Sequence, residues 1–196
     1  TSGNSVRNTN SRQTNYASIN SHLKNAGLLA HDGELWFSLL HKIGPANNTN
    51  AFWGFALSTT GLSYDTSNSI PYDGTGAGVG FRITNTDQLT PGVWAPGATP
   101  NVTAGPAVDL VPTITNFGST VLIVGKVTWG ADGTTPDTVE LYLPDTSLNL
   151  GSVKSTVSAI IDQSTLDNIA FMGSVSGPPD YCNIDEIRFG AIYDDV

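Results

Sequence analysis

Asn183-Ile184-Asp185-Glu186-Ile187-Arg188-Phe189-Gly190 is the stretch that decides the fold, because it places acidic residues on a strand that otherwise has the composition of a protein core. Side chains alternate between the two faces of an extended strand. The alternation predicts that Asp185, Ile187 and Phe189 share one face, and that Ile184, Glu186 and Arg188 share the other. An unpaired carboxylate among core residues costs much free energy. We therefore expect Asp185 to have a cation or several N–H donors as partners.

A β-hairpin is predicted upstream of this strand. Its two strands read Val121-Leu122-Ile123-Val124-Gly125-Lys126-Val127-Thr128-Trp129-Gly130 and Asp137-Thr138-Val139-Glu140-Leu141-Tyr142-Leu143. Between them lie Asp132, Gly133 and Pro136, which are residue types common in turns. In the second strand, Val139 and Leu141 are predicted to face inward, with Glu140 and Tyr142 on the opposite face.

The hairpin and the closing strand together resemble the concanavalin A-like lectin/glucanase superfamily, in particular the laminin-G- and pentraxin-like jelly-roll domains of secreted bacterial proteins. In those domains a hairpin of the pattern (I/V)GK(V/I)xWG…DxVxLY precedes a closing DEIR(I/F)G strand, and this chain carries both, at 124–142 and 185–190. The resemblance covers most of the chain from residue 34 onward. It implies an all-β fold, a two-sheet antiparallel β-sandwich of the jelly-roll type. It specifies no function, since one scaffold hosts lectins, glycosidases, lyases and structural modules.

Other segments fit one sandwich domain spanning residues 1–196. Residues 34–43 carry apolar side chains on both faces, which predicts a central strand. Residues 51–58 are predicted to be the next strand, joined to the first by a hairpin loop at 44–48. A half-buried strand is predicted around Val79, Phe81 and Ile83. Residues 86–112 are rich in Pro and Gly, and we expect them to form a long excursion without strand pattern.

Composition and charge limit the classes of partner. Only 13% of the residues are charged, against roughly 25% in a typical soluble domain. The formal net charge is −9, and the 8 Lys and Arg residues form no cluster. Binding to nucleic acid or to an anionic membrane needs clustered cations, so we expect neither partner. No apolar run reaches the roughly 18 residues that would predict membrane insertion.

Low lysine content with abundant Thr, Asn and Gly is typical of extracellular bacterial β proteins, so we expect a secreted or cell-surface location. The first residues do not resemble a secretion signal, which is compatible with a mature chain or an excised domain. Cys182 is the single cysteine and excludes an intrachain disulfide. Its position beside Ile184 predicts a buried thiol.

The sequence carries no catalytic pattern for polysaccharide cleavage. Glycosidases need two carboxyl groups roughly 5–9.5 Å apart, and the E-x-D-x-x-E pattern of glucanases in the resembled superfamily is absent. Asp185 and Glu186 are adjacent and are predicted to face opposite ways, and Glu140 has no second carboxylate on its strand. The three histidines match no lyase motif and are predicted to lie at the surface or rim: His22, His31 and His41.

Sugar binding requires aromatic faces for C–H surfaces and polar side chains for hydroxyls. The candidate ligand-binding residues are predicted to lie in loops: Trp94, Tyr64, Tyr72, Asp65 and Asp73. The alternative for each aromatic residue is packing against the edge of the sandwich.

A structural Ca²⁺ ion is the cofactor that the resemblance implies. Many relatives bind one with an Asp near the start of the closing strand, a position that Asp185 matches, together with backbone carbonyls of the N-terminal region. The alternative for Asp185 is hydrogen bonding to the backbone. Asp132 and Asp137 bracket the hairpin and have the same two alternatives, a cation or turn formation.

Three functional hypotheses follow. The first is a secreted, non-catalytic, lectin-like module that binds a polysaccharide or glycan. An alternative is a structural or adhesive subunit that self-associates in an extracellular assembly. The second alternative is a glycoside hydrolase or polysaccharide lyase.

Overall fold

Two antiparallel β-sheets pack face to face in the computed structural model. It describes residues 6–8, 13–19, 21–43, 52–59, 77–84, 88–95, 101–110, 120–174 and 182–196. The six-stranded sheet has the order β1 (Val6–Asn8), β13 (Cys182–Gly190), β3 (Glu34–Ile43), β9 (Thr120–Thr128), β10 (Asp137–Tyr142), β11 (Ser155–Ala159). The seven-stranded sheet has the order β2 (Gln13–Ser18), β12 (Asn168–Ser174), β4 (Phe52–Ser58), β5 (Gly78–Thr84), β6 (Gln88–Ala95), β7 (Asn101–Ala104), and β8 (Val108–Asp109) also pairs with β6.

Helical structure in the described residues is limited to short pieces. A four-residue helix, α1, spans His22–Asn25, and two 3₁₀ helices span Gln163–Thr165 and Tyr193–Asp195. None of the described helices is long and apolar enough to cross a membrane. Because the described residues form two antiparallel sheets and only short helices, the predicted all-β fold class is confirmed.

The core lies between the sheets and follows the predicted alternation. In β3 the side chains of Leu35, Phe37 and Leu39 are fully buried against the facing sheet. The Phe37 ring lies 5.1 Å from that of Phe55 on β4, centroid to centroid. It also crosses Gly125 on β9, where an added Cβ would come within 2.0 Å of the ring. Glycine in the hairpin motif is thus required by the aromatic residue on the next strand.

Two predictions of local structure were wrong. Residues 44–48 do not connect a hairpin, because β3 pairs with β13 and β9 while β4 belongs to the other sheet. The segment 86–112 is not without strands, since it contributes β6, β7 and β8. Both errors concern strand partners, which local sequence does not encode.

Pro91 illustrates how β6 accommodates residues that disfavour strands. Its carbonyl accepts a hydrogen bond from the Gly105 N–H at 3.0 Å, at the break between β7 and β8. The N–H and C=O groups of one strand residue point toward the same edge. The missing N–H of Pro91 therefore faces this break, and the ladder to β5 on the other side does not need it.

Asp137 ties the hairpin to the chain segment that follows β11. Its side chain is 1% exposed, and its carboxylate accepts hydrogen bonds from the Gly130 N–H at 2.9 Å and the Ile161 N–H at 3.0 Å. Asp132, in contrast, is exposed and accepts from the N–H groups of Thr134 and Thr135 at 2.8 and 2.9 Å. Hydrogen bonds from the hydroxyl and backbone of Thr134, and then from Thr135, lower the pKa of Asp132 to about 2. Both carboxylates are thus occupied by backbone donors, the turn-forming alternative.

We expect Asp137→Ala to lower the free energy of unfolding by about 2–4 kcal/mol, because two buried N–H groups would lose their acceptor. Urea denaturation of the variant and the wild type measures this difference. Asp145→Ala is the matched control, since Asp145 accepts N–H donors in an exposed turn. Equal losses for the two variants would contradict the proposed role of Asp137.

His41 is not at the surface or rim, and that prediction was wrong. Its side chain is 1% exposed and lies on the inward face of β3, opposite Ile184 of β13, with its ring 6.5 Å from that of Trp53. Burial lowers the pKa of His41 to about 3. The odd-numbered alternation that places Leu35, Phe37 and Leu39 inward could have identified it. His22 and His31 are exposed, as predicted.

His41 should make the protein less stable in mild acid. The unfolded state binds a proton below pH 6.5, whereas the native state binds it only near pH 3, so stability is lost as the pH falls. We expect a loss of about 2 kcal/mol between pH 7.5 and 5.0. Urea denaturation at both pH values should show this loss in the wild type and in His22→Leu. It should be absent in His41→Leu, and a loss of equal size there would contradict the prediction.

Candidate functional site

The closing strand β13 contains a β-bulge. In its pairing with β3, Asp185 lies opposite Leu40 and Arg188 lies opposite Ser38, so that two residues of β13, Glu186 and Ile187, oppose one of β3. Glu186 adopts a positive φ of 54°, a left-handed conformation that is unfavourable for a residue with a side chain. The extra residue shifts the alternation by one position along the strand.

The bulge overturns the predicted orientation of Asp185. Ile184 belongs to the buried core, and Ile187 and Phe189 pack against that same core. Asp185 pairs with Leu40 and therefore lies on the outer face of the six-stranded sheet, away from Ile187 and Phe189. The period-two argument failed because it assumed an uninterrupted strand.

Asp185 lines a pocket on this outer face. The cavity holds about 200 Å³ and is lined by residues of β3, β9 and β13: Leu40, Lys42, Thr120, Asn183 and Asp185. Lys42 pairs directly with Thr120 on one side and with Asn183 on the other. Asp185 lies two residues beyond Asn183, in the diagonal position relative to Lys42. We call this cavity the Asp185 pocket.

The polar groups of the Asp185 pocket are largely uncommitted. Asp185 Oδ1 accepts a hydrogen bond from the Glu186 N–H at 2.9 Å, a bond held by the bulge itself. Asn183 Oδ1 is buried and has no hydrogen-bond partner among the described residues. Among the described residues, the Lys42 ammonium group forms no ion pair within 4.0 Å. By contrast, Lys126 is paired with Glu34, and Arg188 is paired with Glu186. The pocket therefore offers a cation, an anion and an amide acceptor for other contacts.

Calcium at Asp185 stays a prediction. In the described ranges, no three His, Cys, Asp or Glu side chains are grouped as a metal site would require. Asn183 and Asp185 would supply oxygen ligands of the kind that Ca²⁺ prefers. Lys42 lines the same pocket, and its positive charge opposes a cation there.

The predicted ligand-binding residues are placed only in part. Tyr64, Asp65, Tyr72 and Asp73 lie outside the described residues. Trp94 is not in a loop, as was predicted, but in β6, where it pairs with Gly78 of β5 and Val102 of β7. Gly78 is the first residue of β5 and pairs with Ser58, the last residue of β4. Trp94 is therefore at the end of the seven-stranded sheet where β4 ends and β5 begins.

Trp94 and Asp185 belong to separate places. Trp94 is in the seven-stranded sheet near the first residue of β5, whereas the Asp185 pocket is on the six-stranded sheet near the last residues of β3. Because β3 ends and β4 begins at one end of the sandwich, and β4 ends and β5 begins at the other, the two places are at opposite ends. One ligand of monosaccharide size cannot contact both.

A second cluster occupies the outer face at the other end of β3. Trp36 stacks on Tyr142 with ring centroids 5.8 Å apart, and Tyr193 of the C-terminal 3₁₀ helix lies 5.9 Å from Trp36. Lys126 Nζ lies 5.6 Å above the Trp36 ring and 2.7 Å from Glu34. Trp36 is buried in this outer cluster and not between the sheets. Trp53 and Trp129 are buried in the main core.

The ionisable groups of the outer cluster are bonded to one another. Glu140, which sequence placed beside Tyr142, accepts a hydrogen bond from the Tyr142 hydroxyl at 3.1 Å. Burial and then the Glu140 carboxylate raise the pKa of Tyr142 to about 12, which disfavours its use as a base. Glu34 is on the same face but is bonded to Lys126 and the Trp36 indole. Each carboxylate thus already has a partner.

Sequence reasoning missed Lys42 and Asn183 as site residues. Lys42 is on the outward face of β3, because it continues the alternation of Trp36, Ser38 and Leu40. Asn183 and Asp185 are spaced by two and share a face whether or not a bulge follows. The missing information was the pairing of β3 with β13, which brings these positions together.

No protein-family model and no curated protein matches the chain. Solved structures do resemble it. A legume lectin-like domain from Entamoeba histolytica is 8% identical with a TM-score of 0.59, over 96% of this chain and 83% of that one. The receptor-binding domain of botulinum neurotoxin C/D mosaic serotype is 12% identical with a TM-score of 0.58, over 96% of this chain and 39% of that one.

An endo-β-1,4-glucuronan lyase from the fungus Trichoderma reesei is 12% identical with a TM-score of 0.53, over 98% of this chain and 82% of that one. Likeness at these identities establishes the fold and nothing finer. The chain is a two-sheet antiparallel β-sandwich of the jelly-roll type, and its architecture is concanavalin A-like.

The left-handed backbone conformation at Glu186 can be tested with substitutions that differ in their tolerance of positive φ. We expect Glu186→Gly to raise the free energy of unfolding by up to about 1 kcal/mol, because relief of a left-handed cost of roughly 1–2 kcal/mol exceeds the loss of the exposed pair with Arg188. Glu186→Val should lower the free energy of unfolding by about 1–2 kcal/mol in urea denaturation, since a β-branched residue tolerates positive φ poorly. Arg188→Met, which removes the ion pair alone, is the control. A Val variant as stable as the Gly variant would exclude the left-handed conformation.

Proposed function

We propose that this chain is a non-catalytic carbohydrate-binding module of an extracellular or cell-surface protein, and that the Asp185 pocket is a sugar-binding site. One observation carries the proposal: side chains of three strands present uncommitted polar groups to a single cavity. A buried acceptor without a partner, such as Asn183 Oδ1, costs free energy of about 1–3 kcal/mol. Such a cost is expected where a ligand or ordered water supplies the missing bond.

The chemistry of the pocket fits a sugar. Sugar hydroxyl groups both donate and accept hydrogen bonds. Complementary partners in the pocket are the Asp185 carboxylate, the Asn183 amide and Thr120. Leu40 adds an apolar surface for C–H groups. The cavity of about 200 Å³ is smaller than the roughly 300–1,000 Å³ of sites for drug-sized ligands. It therefore suits one sugar residue, either alone or as part of a longer chain that crosses the sheet.

The fold agrees with this function without specifying it. Two of the similar structures are named as a lectin-like domain and a glucuronan lyase, so the same architecture carries both binding and cleavage of carbohydrate. In the outer cluster, Glu34 is paired with Lys126 and Glu140 with Tyr142, which favours binding over cleavage on this face. Trp94, with Tyr64, Tyr72, Asp65 and Asp73, is a second predicted sugar contact. A laminin-G- or pentraxin-like origin remains part of the proposal. A structural calcium ion at Asp185 is the competing use of that carboxylate, and the positive charge of Lys42 opposes it.

A structural or adhesive role is the second candidate. Leu148 and Ile192 are 62% and 56% exposed, and the Tyr193 hydroxyl donates to the Leu148 carbonyl at 2.5 Å, which connects the two segments. Exposed apolar side chains next to the outer cluster favour contact with another protein surface. Self-association through this surface would be detected by sedimentation.

A glycan array probed with the purified chain, with Ca²⁺ and with a chelator, tests the proposed function. We expect selective glycan binding that Asp185→Asn weakens at least about tenfold, because the carboxylate loses its charge-assisted bonds to hydroxyls. Asp145→Asn, in an exposed turn, is the matched control. Loss of binding on chelation would support calcium.

Other outcomes would contradict the assignment. Binding abolished by Trp94→Ala but unchanged in Asp185→Asn would move the sugar site to the seven-stranded sheet. No binding by a natively folded chain under either condition would refute the carbohydrate-binding function. Concentration-dependent association in sedimentation would then favour the structural role.

A further inference from the structure

We infer that the Asp185 pocket selects a sugar that carries a carboxylate, with Lys42 binding the acid group and Asp185 binding ring hydroxyls. The inference rests on the proposed function and specifies its ligand class. It starts from the unusual coexistence of two opposite charges that line one small cavity without forming an ion pair.

Lys42 is the charge that the fold leaves available. It is half-buried at the centre of a cross-strand row, between Thr120 on β9 and Asn183 on β13. Both flanking residues are neutral, so within the described pocket the only counter-charge is Asp185. A carboxylate on the ligand would give the Lys42 ammonium group a charge-assisted hydrogen bond, which is roughly twice as strong as a neutral one.

Asp185 is placed to bind a different part of the same ligand. Its position is diagonal to Lys42, and diagonal neighbours on antiparallel strands are about 7–8 Å apart. A uronic acid ring carries its carboxylate on one side and a vicinal diol on the other, so one ring can span the two charges. Asn183 is opposite Lys42 and two residues before Asp185, and its unpartnered Oδ1 can accept a hydrogen bond from a ligand hydroxyl.

Other ligand classes fit less well. A neutral sugar would cover the Lys42 ammonium group without giving it an anion. An amino sugar would place a second cation beside Lys42, and a metal ion would meet the same repulsion. A ligand carboxylate directed at Lys42 keeps its distance from Asp185, because a whole ring separates them.

Isothermal titration with a matched pair of probes tests the inference. The probes are oligosaccharides of β-1,4-linked glucuronic acid and cello-oligosaccharides of equal length, which differ only in whether C6 is a carboxylate or a hydroxymethyl group. We expect the wild type to bind the acidic probe at least about tenfold more tightly. Lys42→Met should abolish this preference, so that the two probes bind with similar affinity, and Lys42→Arg should retain part of it. Lys154→Met, an exposed lysine elsewhere, is the control.

The outcomes separate the two levels of the proposal. Equal binding of both probes by the wild type, or an unchanged preference in Lys42→Met, would overturn the acidic-sugar inference and leave carbohydrate binding intact. Failure of both probes, together with a blank glycan array, would overturn both. Circular dichroism of each variant establishes that loss of binding does not come from unfolding.

Discussion

The one-residue bulge in the closing strand determines which chemistry the sandwich presents on its outer face. Without it, Asp185 would share a face with Ile187 and Phe189, and a carboxylate would point into the core. With the left-handed backbone at Glu186, the strand buries Ile184 before the bulge and packs Phe189 against the same core after it, while Asp185 stays outside. The Glu186 N–H donates to Asp185 Oδ1, so the strained residue also orients the carboxylate. Bulges recur where a side chain must be redirected, and this one joins a core requirement to a surface site.

Much of the fold could be predicted from sequence, because its central strands obey simple alternation. The bounds of β3 and the inward faces of β3 and β10 follow from the period of two, and Gly125 marks the place where Phe37 crosses. What failed depends on tertiary partners. β6 contains Pro91 and Gly92, which predict a loop. It forms a strand because β5 pairs with it along most of its length, and because Pro91 faces the break between β7 and β8 on the other side. Whether residues 44–48 turn back or cross to the facing sheet is likewise decided by packing.

The candidate site was less predictable than the fold, for a related reason. Asp185 could be singled out because a carboxylate in an apolar strand demands a partner, although the face assigned to it was wrong. Lys42 and Asn183 are ordinary residues in their own segments, separated by more than a hundred positions. Only the register of β3 against β13 makes them neighbours and leaves Asn183 Oδ1 buried without a bond. A site assembled across strands has no local motif to detect.

Electrostatics at the Asp185 pocket must be considered locally and not from the net charge. A chain with a formal charge of −9 would repel an anionic ligand at long range, yet at physiological ionic strength charges beyond about 8 Å are largely screened. Among the described side chains that line the pocket there are one ammonium group and one carboxylate, whose charges cancel. The surrounding negative charge then slows approach without deciding affinity. Recognition depends instead on how well a ligand can satisfy Lys42 and Asp185 simultaneously, which rewards a molecule whose acid and hydroxyl groups are held apart by a rigid ring.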